Sequence, residues 1–488
     1  MTLYLGVDLG TQSVKVVVFD AERAAIIARG SSPVPMFDFS GSGATSRVGA
    51  AEQNPDDWWT AFEAAMHQAL DPLAEARRQI RAIGVSGQQH GMVPLDQNLQ
   101  VIRPAKLWCD TEASAEASEL SQLLQRSIPA GFTAPKILWL KRNEPDHFEK
   151  LRQVLLPHDW LNFQLSGLLT TDHGDASGTG YYLPAQRRYD LEGAARIDAA
   201  VPTMLPMIHE PQTWIGSILP EQAQRFGLSE SVRIAPGSGD NMMSALGAGA
   251  VQDGTLIISL GTSGTLFGHS SKVVLDPNGD VAEFCDATGG WLPLVCTQNC
   301  TTVVEEARQM SGLSHSQLTA AANDVAAGSN GLLFLPYLTG ERTPNWPHAC
   351  GVLHGIRPGN MTAAGVYRAA LEGASFALWG GLRRLARLGV RTNEVRLVGG
   401  GAGNPLWQQI LADMLQVPIS LGAETESAAL GGAFQACWLD SGRHPSELYA
   451  SVAERGVTSV MDPNPAHMEI YREARERYQG VGELLFRN

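Results

Sequence analysis

The stretch Leu3–Phe19, LYLGVDLGTQSVKVVVF, and its echo Thr255–Gly268, TLIISLGTSGTLFG, decide the fold. In the first, the apolar run LYLGVD breaks at a Gly-Thr turn and resumes as VKVVVFD, after which a polar turn, AERA, leads into AIIARG. Such alternation predicts three strands joined by two tight turns. The echo repeats strand, Leu-Gly-Thr, strand: Leu9-Gly10-Thr11 recurs as Leu260-Gly261-Thr262, about half the chain later. Each copy opens a half of domain size, so the pattern reads as a duplicated unit. Apolar residues at helical spacing predict a helix at about 56 to 70 (DWWTAFEAAMHQAL), and IRAIGVSG (Ile80–Gly87) predicts a strand after it. The alternation implies a mixed α/β layer architecture. Turn-forming Gly and Asp in LGAGAVQDG, residues 246–254, mark the boundary, giving expected domains of residues 1–248 and 249–488.

Length and composition agree with this division. At 488 residues the chain exceeds the size at which one hydrophobic core keeps growing. A hydrophobic fraction of 44% with 18% charged residues is that of an ordinary globular protein, and no run approaches the ~20 apolar residues of a membrane span. The N-terminus enters a strand directly, without the basic start and small-residue cleavage site of a signal peptide, so the expected compartment is the cytoplasm. Six cysteines are too sparse for a disulfide scaffold, and Cys296 and Cys300 have no second Cys or His pair to complete a zinc site. A net charge of −14 with no Lys or Arg run argues against nucleic acid as the partner. A homodimer is expected only from the general frequency of such assemblies.

Turns that expose backbone N–H groups can cradle anionic oxygens, with Gly allowing close approach and Ser or Thr adding donors. DLGTQSVK and SLGTSGT both fit, and both read equally as simple hairpin turns; one in each half favours phosphate. Neither is a G-x-x-x-x-G-K-[ST] loop, and no G-x-G-x-x-G opens a dinucleotide unit. A third cluster, Gly399, Gly400, Gly401 and Gly403, follows the strand EVRLVGG and precedes the amphipathic stretch NPLWQQILADML. Bare backbone ahead of a helix N-terminus suits an anionic or flat ligand, or is a simple βα connection with an Asn-Pro helix start.

Phosphoryl transfer to a hydroxyl needs a base, a metal on the phosphate oxygens and alignment of the two substrates. Asp240 ends VRIAPGSGD, a strand with a Gly-rich turn, and precedes the apolar run NMMSALGAGA. It reads as a base or as a helix N-cap, and the two roles are compatible because the helix dipole helps keep the carboxylate ionised. Asp8 ends the first strand beside the first turn and is the candidate metal residue. Ser86-Gly87-Gln88-Gln89-His90-Gly91 offers amide and imidazole groups for a polyol, and in LWCDTE Trp108 offers a wall and Asp110 an acceptor.

In order, DLGT, SGQQHG, LWCD, GFTAPKILWL, LPHDW, GSGDN, SLGTSG, LPYLTGERTP and GGGAGNPLWQQ resemble the FGGY carbohydrate kinase family, and within it the xylulokinases, over nearly the whole chain. The resemblance implies an α/β fold of two actin-like (ribonuclease H-like) domains with an ATP/sugar cleft between them, the N-terminal domain sugar-binding and the C-terminal one nucleotide-binding. It implies ATP-dependent, Mg²⁺-assisted phosphorylation of D-xylulose to D-xylulose 5-phosphate. Asp240 becomes the catalytic base. Gln89, His90, Trp108, Asp110, Asp240 and Asn241 become the sugar contacts, and Asp8 lies by the metal. Gly10, Thr11, Gln12, Gly261, Thr262, Ser263, Gly399, Gly400, Gly401 and Asn404 take the nucleotide. Two departures stand near the sugar: Gln89 where many xylulokinases have Met, and Cys109-Asp110-Thr111-Glu112 where they have Asn-Asp-Gly-Arg. Another ketose or polyol (ribulose, fuculose, gluconate, glycerol) and a non-kinase ATPase on the same fold are the alternatives.

Overall fold

The computed structural model describes residues 2–39, 47–422, 424–455 and 460–487. The chain forms two compact units, the first made of Met1–Val251, Phe284–Leu292 and Glu426–Arg455, the second of Gln252–Glu283, Pro293–Thr425 and Gly456–Asn488. The break at residues 251/252 lies within the stretch where a boundary is expected, but a single cut misses the later return of the chain to the first unit.

In the first unit the expected triple of strands is Leu3–Leu9, Ser13–Asp20 and Ala25–Pro33, successive pairs running antiparallel. Leu3, Leu5, Val7 and Leu9 share one face of the first strand and have no exposed surface, and neither have Val14, Val16, Val17 and Val18 of the second. Strand Ile80–Gly87 lies parallel to Leu3–Leu9 on its other side, and Arg233–Ile234 and Ser238–Gly239 pair parallel to Ile80–Gly87 in turn. The C-terminal ends of Leu3–Leu9 and Ile80–Gly87 and the short strand Ser238–Gly239 therefore open at one end of the sheet. Helix Pro55–Leu70 covers one face, with Asn54 as its N-cap, Pro at its first turn and Trp58, Phe62, Met66 and Leu70 buried. Helix Ser427–Ser441 packs against Leu3–Leu9 and Ile80–Gly87. Its small residues allow backbone-to-backbone approach: a Cβ on Gly6 would come 1.8 Å from the Ala429 carbonyl oxygen, and one on Gly84 would come 2.1 Å from that of Gly432.

The second unit repeats the arrangement. Strands Gly254–Leu260 and Gly264–Phe267 form the antiparallel pair, Gly264–Phe267 pairs antiparallel with Trp291–Thr297, and Thr392–Val398 lies parallel to Gly254–Leu260, followed by the parallel strand Ile419–Leu421. Helix Ala363–Arg387 runs through the core of this unit. The amphipathic C-terminal helix Met468–Phe486 packs on the same unit through Tyr471, Ala474 and Tyr478. All six cysteines are free thiols. Among the described residues no helix is long and apolar enough to cross a membrane.

Candidate active site

In the first unit, residues far apart in sequence meet where the parallel strands end. Asp8 sits one residue before the end of its strand, and its Oδ1 accepts a hydrogen bond from Ser86 Oγ at 2.9 Å. Desolvation raises its carboxyl above the usual range, and the Ser86 hydrogen bond and Lys15 oppose this. Lys15 itself is paired with Glu426 at 2.8 Å. In the turn that follows, the Gly10 N–H donates to the Ser13 carbonyl at 3.1 Å. Thr11 is held by its neighbours: its hydroxyl donates to Gln88 Oε1 and accepts from Trp108 Nε1, each at 3.0 Å, and its carbonyl accepts from Gln53 Nε2 at 2.7 Å. Gln53 Oε1 closes the network by accepting from Gln88 Nε2 and Trp58 Nε1, each at 2.9 Å. The turn and the Gln88-Gln89-His90 segment are thus joined by a hydrogen-bonded network, and the Thr11 hydroxyl is engaged with protein groups. Gln12 is exposed at the tip.

Asp240 is the first residue of helix Asp240–Gly247, with Gly239 in the cap position, so it is not the N-cap. Asn241 Nδ2 donates to Asp240 Oδ1 at 3.0 Å and to Gln89 Oε1 at 2.7 Å, while Gln89 Nε2 lies 3.3 Å from Met242 Sδ. Burial, together with the negative charges of Asp8 and Asp175, pushes the Asp240 carboxyl up to about 8. The helix dipole acts the other way but is worth ~0.3–1 kcal/mol, less than one pKa unit, whereas desolvation shifts a buried carboxyl by several. The expected ionised state at neutral pH therefore needs a positive charge nearby.

Behind this segment lies a buried cluster to which sequence reasoning gave no role. His158 Nδ1 bonds Asp175 Oδ2 at 2.7 Å, and its Nε2 lies 3.1 Å from Asp159 Oδ1 as an ion-pair contact. Burial acts to lower the imidazole, but Asp159, Asp175 and Asp172 outweigh it and push it up to about 9. Asp172 accepts from Ser238 Oγ at 2.7 Å, fixing the short strand just before Asp240. The signal in the sequence was polar residues, His158-Asp159, inside an otherwise apolar run.

One expected sugar contact, Asp110, is already engaged by protein groups. Asp110 has no exposed surface, and both oxygens are engaged: Oδ2 with Ala51 N at 2.9 Å and Lys106 Nζ at 3.1 Å, Oδ1 with Glu112 N at 3.2 Å. It belongs to a charge cluster in which Glu52, Asp110 and Glu112 converge to within 4.8 Å. Lys106 reaches all three, Arg47 pairs with Glu52 and Glu112, and Arg103 pairs with Glu52, so protein cations neutralise the carboxylates. Trp108 is half-buried and spends its indole N–H on Thr11.

In the second unit, strands Gly254–Leu260 and Thr392–Val398 run parallel, so the turns after them emerge at the same end of the sheet. The Gly261 N–H donates to the Ser263 carbonyl at 3.2 Å, closing a turn one residue shorter than that at Gly10–Ser13. Thr301 and Thr302 hydroxyls hold the carbonyls of Gly261 and Thr262 at 2.8 and 3.1 Å. Gly399 has φ +87° and lies against Leu260, where a Cβ would come 2.9 Å from its carbonyl oxygen; Gly400 and Gly403 have open space beside them. The Asn404 side chain caps helix Pro405–Leu415 and donates to Thr319 Oγ1 at 3.0 Å, so its own amide serves the helix and its neighbours.

A duplicated sheet with a glycine-rich turn in each copy, and a desolvated carboxylate at a helix N-terminus, fits an actin-like phosphotransferase. The chain belongs to the FGGY family of carbohydrate kinases: residues 3–247 match the family's N-terminal domain and residues 256–439 its C-terminal domain. It is 35% identical to a xylulose kinase of Haemophilus influenzae over 98% of both chains, and 37% identical to a xylulose kinase of Streptomyces coelicolor over 94% of this chain and 91% of that one. A solved structure of a "xyloylose kinase" from Brucella ovis superposes with a TM-score of 0.91 at 31% identity, covering 99% of each chain. The protein is a carbohydrate kinase.

Proposed function

We propose that this kinase transfers the γ-phosphoryl group of ATP to the O5 hydroxyl of D-xylulose, giving D-xylulose 5-phosphate and ADP. The observation that carries this reading is the Gln89–Asn241–Asp240 chain of hydrogen bonds, 2.7 and 3.0 Å long, which sets amide groups for a polyol beside a desolvated carboxylate. Relatives named xylulose kinases, similar along nearly the whole chain, support the choice of sugar.

Asp240 accepts the proton of the attacking hydroxyl as the new O–P bond forms and ADP departs. Gln89, Asn241 and His90 orient the ketose, with the Trp108 ring as an apolar wall. Backbone groups of Gly10, Thr11, Gln12, Gly261, Thr262 and Ser263 take phosphate oxygens; Gly399, Gly400 and Gly401 flank the adenosine end, with Asn404 shaping that loop. Asp110 is assigned to the charge cluster instead. Asp8 suits Mg²⁺: it is a hard oxygen donor in a neighbourhood where burial and the charges of Asp8 and Asp175 raise the Asp240 carboxyl. Bound there, the ion supplies positive charge to the phosphate oxygens. Such a charge also draws the Asp240 carboxyl down toward ionisation. ATP and sugar phosphates are metabolites of the cytoplasm, which is the compartment we assign.

The test is ADP release with Mg-ATP against D-xylulose, L-xylulose, D-ribulose, L-ribulose, L-fuculose, gluconate and glycerol. D-xylulose should give the highest kcat/KM by at least about tenfold, the discrimination expected of a site that hydrogen-bonds its substrate's hydroxyls. A higher value for another polyol would reassign the sugar to Gln89 and its neighbours without changing the chemistry.

A further inference from the structure

His90 is held in a costly conformation by groups outside the reaction. Its φ is +63°, the left-handed region that a side chain other than glycine rarely adopts. Its carbonyl accepts from Lys136 Nζ at 2.8 Å and from Thr133 Oγ1 at 3.2 Å, while its N–H points to Asp175 Oδ1 at 3.4 Å. The ring lies between Phe132 and Phe284, with centroids 5.0 and 5.6 Å away, and against Gly178, where a Cβ would come 1.8 Å from it. Conformations of this kind persist only where the surroundings over-determine them, and they gather at ligand sites.

Lys136 is itself expensively placed. It has no exposed surface, and its two hydrogen bonds go to the backbone carbonyls of His90 and Gly131, the latter at 2.5 Å. It stands in the first turn of helix Thr133–Asn143, where the dipole disfavours a cation. Burial pulls its ammonium down to about 7. An apolar residue of similar length would satisfy packing at lower electrostatic cost.

We propose that Lys136, with Thr133, is a positioning residue for the sugar: the two donors lock the His90 carbonyl and so fix the left-handed turn that aims the imidazole at the ketose. This rests on His90 being a sugar contact. Neither Lys136 nor Thr133 touches the substrate; both act through the His90 backbone, and they set the apparent affinity for the sugar and leave that for ATP alone.

The test is steady-state kinetics, for D-xylulose and for ATP separately, of Lys136→Met, Thr133→Val and His90→Ala, and of the first two combined with His90→Ala. Lys136→Met is expected to raise the sugar KM roughly 10- to 100-fold, the scale of a displaced positioning group, and Thr133→Val by less, with the ATP KM within about twofold of the parent. In the His90→Ala background both effects should vanish, because nothing aimed by the turn remains. Equal effects in both backgrounds, or a parallel rise in the two KM values, would assign Lys136 to general stability and overturn the proposal. A sugar KM unmoved by Lys136→Met and Thr133→Val while His90→Ala raises it also overturns it. An unmoved KM in His90→Ala removes the reading of His90 itself. If Lys136→Met does not fold, Thr133→Val, which deletes one hydroxyl, decides by the same cycle.

Discussion

Asp240 begins its helix with no cationic side chain among the groups that shift it: the carboxyl is pushed up to about 8 by burial and by Asp8 and Asp175, against weaker help from backbone N–H groups. As the proposed base it must be ionised, so proton loss would switch activity on. We expect kcat/KM for the sugar to rise with pH along an acid limb above the ordinary carboxylate range near 4, and not above about 8, since a cation held by Asp8 would lower the value. A kcat/KM flat from pH 5 to 9 would contradict this. Asp240→Asn should lower kcat by roughly 10² to 10⁴ while leaving the fold intact by circular dichroism. The position of Asp240 at the start of a helix was legible in the sequence because a strand, a Gly-rich turn and an apolar run frame one carboxylate. The engagement of Asp110 was not legible because its partners, Ala51 and Lys106, come from a different segment and from an adjacent strand. Nothing in LWCDTE reports that its carboxylate is already fully hydrogen-bonded. His90 was legible as a polar group at a strand end, but its left-handed backbone and the Lys136 contact 46 residues on were not.

At the scale of elements, the strand expected before Asp240 is only Arg233–Ile234, and Ser238–Gly239, in the Gly-rich stretch read as a turn, pairs as a second short strand. The strand triple and the helix Pro55–Leu70 follow from local pattern: alternating or continuous apolar runs with turn residues between. Helix Ser427–Ser441 does not, because its allegiance to the first unit depends on Gly6 and Gly84, more than 300 residues earlier, having no side chain. Gly84→Ala forces a Cβ to 2.1 Å from the Gly432 carbonyl oxygen, a backbone atom that cannot swing aside. Overpacking of this kind should destabilise by about 1–3 kcal/mol or more, seen as a lower denaturant midpoint. Gly480→Ala is the control: in helix Met468–Phe486 its Cβ meets nothing within 4 Å, and gain of helix propensity should stabilise by ~0.5–1 kcal/mol. Equal effects of the two substitutions would refute the close-approach account of the helix.

On the scale of the whole molecule, the repeat of Leu-Gly-Thr, together with its place at the head of each half, was the clue to the duplication, and both copies carry a strand order in which an antiparallel triple adjoins two parallel strands. Duplication puts a glycine-rich turn at the end of the leading strand in each unit, and the sequence between the turns supplies to the first the residues we propose as sugar contacts and base. The point at which the chain returns to its first unit is set by packing across hundreds of residues, and no local composition shift marks it. The measurement closest to the central claim is the identity of the product formed from D-xylulose and Mg-ATP by the parent protein and by Asp240→Ala. Phosphorus NMR and mass spectrometry should show D-xylulose 5-phosphate in stoichiometric yield with ADP, formed at least about 10²-fold more slowly by the folded variant. ADP without a phosphorylated sugar, or an unchanged rate in Asp240→Ala, would contradict the account.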